Sequence, residues 1–323
     1  MKKGAKFGLL GLLAGAAGMG SLAAAGNYFY ELAMVPKRHD SAADIDPSDG
    51  IYQGRLWLAG LKNRRDVSVT SVDGLRLHAS LIRCADPNCH RWAVCIHGYA
   101  DSSESMGVYA RHYLEQGWNV LLPDLRGHGA SQGDYVGYGW DDRLDLVAWV
   151  SRLIHQDPKA HLVLHGVSMG AAAALMTTGG PLPANVKAVV SDCAYTSALA
   201  IMRHVLEQNG NGKGPAGPAL SALRSTAKRR ARFDLKNADT LIRMTVSSSD
   251  SRRFKTPTLF IHGVNDDFVP ASMMADLYEA AKCPKEFLWM PRAGHARSVV
   301  TDPALYWETV DDFLQRALEG GLA

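Results

Sequence analysis

A serine hydroxyl is a weak nucleophile unless its surroundings activate it, and one stretch of this sequence has the pattern to do so. Gly166-Val167-Ser168-Met169-Gly170 sets small residues two before and two after a serine. That spacing suits a nucleophile elbow, a strained turn whose flanking backbone must close up behind the serine. An apolar run ends beside it and an Ala-rich helical stretch follows directly, the context such an elbow needs. The serine requires a base, and the base an orienting acid. His295, in Ala293-Gly294-His295-Ala296, follows the last strand-like run, and Asp266, in His262-Gly263-Val264-Asn265-Asp266, follows the run before it. The order Ser, Asp, His is the one this arrangement demands. Asp192 also follows a strand-like run and stands as the alternative acid. An acyl-transfer oxyanion must meet preorganised N–H groups. The candidate oxyanion-hole donors are Met169 N–H, at a helix start, and Tyr99 N–H, after His97-Gly98.

These residues act together only if a sheet gathers them on one edge. Val67–Thr70 and Leu75–Ile82 read as strands joined by a turn, so that edge of the sheet is antiparallel. Ala93–Ile96, 119–122, 161–164, 186–190, 258–261 and 287–290 read as further strands, with helices over 103–116, 141–156, 171–178 and 271–282. In the helix 141–156, Leu144, Val147, Val150 and Leu153 form the expected apolar face. The last helix is punctuated by Asp302 as N-cap, Pro303 in the first turn and Gly320 past the end. Such alternation predicts an α/β fold, a mainly parallel sheet of about eight strands with helices on both faces. Residues 198–254 carry no strand and read as a helical cap insertion over the edge where open sheets bind ligands.

The ensemble resembles the α/β-hydrolase superfamily over about residues 62–318. The motifs that carry this are His97-Gly98-Tyr99, Asp124-Leu125-Arg126-Gly127-His128-Gly129, the Ser168 elbow, Asp192-Cys193-Ala194-Tyr195, His262-Gly263-x-x-Asp266-x-x-Val269-Pro270 and Gly294-His295. More narrowly, the chain is similar to bacterial N-terminally membrane-anchored α/β hydrolases related to the serine aminopeptidase group. The resemblance implies a serine hydrolase with a cap between the sixth and seventh strands, no cofactor and no metal.

Composition agrees with one sizeable globular domain. The 323 residues are 47% hydrophobic and 21% charged, with 35 basic against 32 acidic side chains, a balance that does not argue for nucleic acid. His161 and His165 have a metal-like spacing, but four residues of strand span roughly 13 Å, too far to share an ion. Cys84 and Cys89 flank a turn, so a disulfide between them is expected in an oxidising compartment, with two free thiols as the alternative. Lys228-Arg229-Arg230 with Arg232 is read as a solvated helix face, with an anionic ligand as the second reading.

The N-terminus departs from the rest. Lys2, Lys3 and Lys6 precede a charge-free run from Phe7 to Gly26, and Tyr28-Phe29-Tyr30 follow like an interfacial aromatic belt. The expected organisation is a signal anchor or signal peptide over 1–30, a juxtamembrane connector over 31–60 and the hydrolase domain over 61–323. The expected location is a single-pass cell-membrane protein with an extracytoplasmic catalytic domain, or a secreted protein cleaved near Ala25.

The expected activity is hydrolysis of a small-molecule carboxylic ester through an acyl-enzyme. A peptidase or amidase, an acyltransferase or a thioesterase shares every motif, and a catalytically silent membrane scaffold is the reading from a different class.

Overall fold

The computed structural model describes residues 22–36, 46–209, 216–245 and 256–322. Eight strands form one sheet in the order β1-β2-β4-β3-β5-β6-β7-β8. They are β1 (Arg65–Thr70), β2 (Arg76–Ile82), β3 (Arg91–Ile96), β4 (Asn119–Pro123), β5 (His161–Val167), β6 (Val186–Asp192), β7 (Thr258–Gly263) and β8 (Lys285–Met290). β2 runs antiparallel to both β1 and β4, and every later pairing is parallel. β3, β5 and β6 are buried almost end to end because both faces of a parallel sheet are covered.

One face carries α4 (Asp142–Gln156), α5 (Met169–Thr178) and α9 (Ala271–Ala280); the other carries α2 (Gly50–Ala59), α3 (Gly107–Glu115) and α11 (Pro303–Glu319). The punctuation of α11 is as expected: Asp302 accepts from Leu305 N–H at 3.1 Å and Gly320 closes the helix at φ 76°. In α4 the buried stripe is Leu146, Trp149, Val150 and Leu153, while Leu144 is exposed. Four positions spaced by three fan out over roughly half a turn at about 100° per residue, so the expected face could not all point inward.

Between β6 and β7 the described part of the insertion forms α6 (Ala198–Asn209), α7 (Ala216–Arg230) and α8 (Thr240–Thr245). The basic run is a solvent-exposed face, as expected, with Lys228 paired to Asp234 at 2.8 Å and Arg230 to Glu31 at 2.5 Å.

The membrane reading requires correction. Residues 1–21 lie outside the described residues, and among the described residues no helix is long and apolar enough to cross a membrane. The end of the charge-free run belongs to α1 (Leu22–Ala33), which packs along α7 of the cap. Phe29 and Tyr30, taken as an interfacial belt, are buried in the protein core, as are Leu32 and Met34. Their apolar character is answered by protein rather than lipid. The expected membrane partner and single-pass anchor therefore find no spanning helix among the described residues, and the segment after residue 22 is a packed part of the hydrolase domain. Ala25, the expected cleavage position, lies inside α1.

Of the two readings for Cys84 and Cys89, the structure has the free thiols. The Cys89 thiol donates to the Gly117 carbonyl at 3.1 Å and the Cys84 thiol to that of Asp86 at 3.4 Å. Burial and the neighbouring Cys89 push the Cys84 thiol up.

Candidate active site

β5 delivers Ser168 to the rim of the sheet, and α5 begins immediately after it. Ser168 holds φ 54° and ψ −115°, a left-handed conformation that costs a non-glycine residue on the order of 1–3 kcal/mol. The turn is possible because both flanking residues lack a side chain. A Cβ on Gly170 would overlap the Ile96 carbonyl oxygen, and one on Gly166 the Gly170 carbonyl oxygen. The Ser168 N–H is anchored to the Asp192 carbonyl at 2.8 Å, which ties the elbow to the end of β6.

The loops after β7 and β8 bring Asp266 and His295 to the same rim. His295 Nε2 lies 2.9 Å from Ser168 Oγ, and its Nδ1 lies 2.8 Å from Asp266 Oδ2. With the proton on Nδ1 donated to the carboxylate, Nε2 is left to accept the serine proton. Asp266 Oδ1 accepts from the Phe268 and Val269 N–H groups at 3.0 and 2.8 Å. Burial alone would raise the Asp266 pKa. Hydrogen bonds from His262 and His295, with the Val269 N–H, instead hold it well below the usual carboxylate range. The Phe268 ring packs on His295 with centroids 4.9 Å apart.

Asp192, the alternative acid, lies elsewhere. It is fully buried beneath the elbow, where its carboxylate accepts from Ser298 at 3.0 Å and Tyr306 at 3.2 Å. Burial pushes it up to about 6 in spite of those bonds. Met169 is the first residue of α5, so its N–H belongs to the unpaired first turn of that helix. The loop after β3 runs within van der Waals contact of the elbow: a Cβ on Gly98 would sit 3.4 Å from that of Ser168. Tyr99 follows on this loop. His97 braces the loop, accepting from Leu125 N–H at 3.0 Å and donating to the Gly98 carbonyl at 2.7 Å. His128 does the same for its own turn, donating to the Arg126 carbonyl at 2.9 Å.

His262 has a role the sequence reading missed. Its Nε2 donates to the Val269 carbonyl at 2.9 Å and lies 3.3 Å from Asp266 Oδ2. Burial works against its protonation, but Asp266 and Val269 raise its pKa overall. The four-residue spacing from His262 to Asp266 across a tight loop was the available signal. Among the described residues, Cys193, Asp266 and His295 form the one cluster whose atoms could share a metal ion. Asp266 and His295 are already committed to each other there. Burial and the carboxylates of Asp192 and Asp266 push the Cys193 thiol up, so it stays protonated and is a poor ligand.

A cavity of about 730 Å³, counting its open mouth, lies directly on Ser168 and Met169. Its far walls come from the cap, with Ile201, Met202 and Val205 of α6 and Leu220 and Leu223 of α7. Its remaining wall is α1, through Phe29, Leu32 and Ala33, which sequence reasoning also missed. Tyr99, Tyr138 and Tyr195 line it with their rings, because their hydroxyls are turned to backbone carbonyls. Tyr99 and Tyr138 donate to Ala33 at 3.2 and 2.7 Å, and Tyr195 donates to Tyr138 at 3.1 Å. No charged side chain among the described residues lines this space.

The chain is similar to known proteins. Residues 88–298 match the family described as serine aminopeptidase, S33. An uncharacterized protein of Bacillus subtilis, YqkD, is 28% identical, over 68% of this chain and 70% of its own. The α/β hydrolase domain-containing protein WAV2 of Arabidopsis thaliana is 27% identical, over 78% of each chain. An esterase of Pyrococcus furiosus superposes with a TM-score of 0.63 at 25% identity, covering 88% of this chain and 98% of the esterase.

Proposed function

The chain belongs to the serine aminopeptidase S33 family of α/β hydrolases, and from that premise we infer that it hydrolyses carboxylic esters of apolar acids, with Ser168 as nucleophile, His295 as base and Asp266 as orienting acid. Its fold is that of a serine hydrolase able to cleave esters or amides at a nucleophile elbow. In the reaction we propose, Ser168 Oγ bonds to the substrate carbonyl carbon while His295 Nε2 takes the hydroxyl proton. Asp266 keeps the imidazole in the required tautomer and stabilises its charged form. The Met169 and Tyr99 N–H groups meet the oxyanion, each contributing about 3 kcal/mol in comparable sites. The carbon–oxygen bond to the alcohol then breaks, and His295 returns the proton to the leaving oxygen. Water attacks the acyl-enzyme by the same route, releasing the acid and restoring Ser168.

The observation that carries ester over amide is the character of the cavity. An aminopeptidase must hold a free α-ammonium group, and such a charge needs a carboxylate partner when water is excluded. The cavity offers tyrosine rings and aliphatic side chains instead. An aminoacyl amide is the second reading, favoured by the description of the family itself. Turnover of p-nitrophenyl esters compared with aminoacyl p-nitroanilides on the purified chain separates the two. The expected result is ester turnover with no detectable anilide turnover, and efficient anilide turnover would reverse the assignment.

A further inference from the structure

We propose that α1 is the wall that measures the substrate, with Phe29 and Leu32 as specificity-determining residues for an unbranched aliphatic acyl chain; this rests on the ester reading above. Phe29, Leu32 and Ala33 recur at the spacing of one helix face, and that face lines the cavity beside α7.

The wall is pinned from two sides. Toward the cap, Gly26 meets α7 so closely that a Cβ would stand 2.7 Å from the Ala222 carbonyl oxygen and overlap Thr226 Oγ1. Arg230 of α7 binds Glu31 at 2.5 Å and lies over the Tyr30 ring. Toward the catalytic loops, the Tyr99 and Tyr138 hydroxyls donate to the Ala33 carbonyl, and Val136 N–H donates to Met34 at 2.8 Å. A helix held by both the cap and the catalytic loops cannot swing away to admit a longer chain.

The cavity suits the acyl rather than the alcohol part of an ester. The leaving oxygen must lie against His295 Nε2 to receive its proton, and Phe268 is the lining side chain whose ring packs on His295 among the described residues. Met169 and Tyr99, whose N–H groups would hold the acyl carbonyl, are themselves part of the lining, together with residues of α6, α7 and α1. Buried methylenes are the chemistry such walls reward, at roughly fourfold in kcat/KM for each methylene taken from water.

Two p-nitrophenyl and alkyl ester series test this on the full chain: one varies the acid from acetyl to decanoyl, and the other varies the alcohol of an acetate. Leu32→Trp shortens the space and should lower the hexanoyl-to-acetyl ratio of kcat/KM by about tenfold. Phe29→Ala lengthens it and should raise the decanoyl-to-hexanoyl ratio. Fluorophosphonate labelling of Ser168 and a thermal melt verify that each variant is folded. Should Leu32→Trp fail to fold, the opposite-signed response of Phe29→Ala decides alone. Unchanged ratios in the folded variants, or a response in the alcohol series instead of the acid series, would overturn the assignment. A wild-type chain that turns over no ester of any length would instead overturn the ester reading itself.

Discussion

The rim that carries Ser168, Asp266 and His295 and the wall built by α1 meet at the same cavity, yet they are made by different kinds of constraint. At the rim, backbone geometry dictates residue type. Ser168 must hold φ 54° between two residues whose Cβ atoms would collide with carbonyl oxygens, and Asp266 must reach the imidazole from a tight loop. At the wall, Phe29 and Leu32 need only be apolar and on one helix face. The rim can therefore be altered by a single atom, whereas the wall responds to volume. Replacing Ser168 by Ala should accordingly give the largest loss, on the order of 10⁵-fold or more in kcat. The fluorophosphonate label should vanish with it while the melting temperature holds. Retained turnover would place the nucleophile elsewhere and dissolve the contrast.

The same difference separates the two carboxylates near the elbow. Asp266→Asn should cost roughly 10⁴-fold in kcat, because an amide no longer selects the tautomer that leaves His295 Nε2 free. Asp192→Asn should cost no more than about tenfold, since Asp192 supports the elbow through Ser298, Tyr306 and its own carbonyl. Steady-state rates of the two variants side by side check this, and the reverse ranking would move the acid to Asp192.

Asp192 should show itself in stability instead. Its carboxyl is pushed up to about 6 by burial, from a value near 4 in the unfolded chain. An acid raised on folding contributes stability that is complete below the unfolded pKa and is lost as pH rises through the folded one. Relative to Asp192→Asn, which cannot ionise, the wild-type chain should lose about 2 kcal/mol between pH 4 and pH 7. Denaturant titrations of both proteins across that range measure the difference, and a flat difference would mean that Asp192 is ionised in the fold.

The same contrast explains which features the sequence makes legible. The strand-helix alternation, the antiparallel edge, the caps of α11 and the spacing of Ser168, Asp266 and His295 follow from local rules, and a few adjacent residues state them. The buried stripe of α4 was misplaced because a spacing of three drifts around a helix. The fate of residues 22–34 was not local at all. A charge-free run followed by Tyr28-Phe29-Tyr30 satisfies lipid and a protein groove equally well, and only α7 and the catalytic loops reveal which surface covers it. The His262 contact with Asp266 lies between these cases, since its spacing was visible but its direction depended on the loop closing.

The smallest effect expected is at the outer edge of the wall. Glu31 is more than half exposed, and its partner Arg230 is also in solvent contact while stacking over Tyr30. Water and salt screen such a pair, so Glu31→Ala should lower stability by less than about 1 kcal/mol. Arg230→Ala should cost somewhat more, because it also removes the guanidinium from the Tyr30 ring, a contact that contributes about 0.5–1 kcal/mol at exposed sites. Added salt should shrink the Glu31 effect and leave the ring contribution nearly intact. Denaturant midpoints of both variants at low and high salt would resolve the two parts. A loss of several kcal/mol at Glu31 would mean that α1 is held chiefly by charge rather than by the apolar face it turns to the cavity.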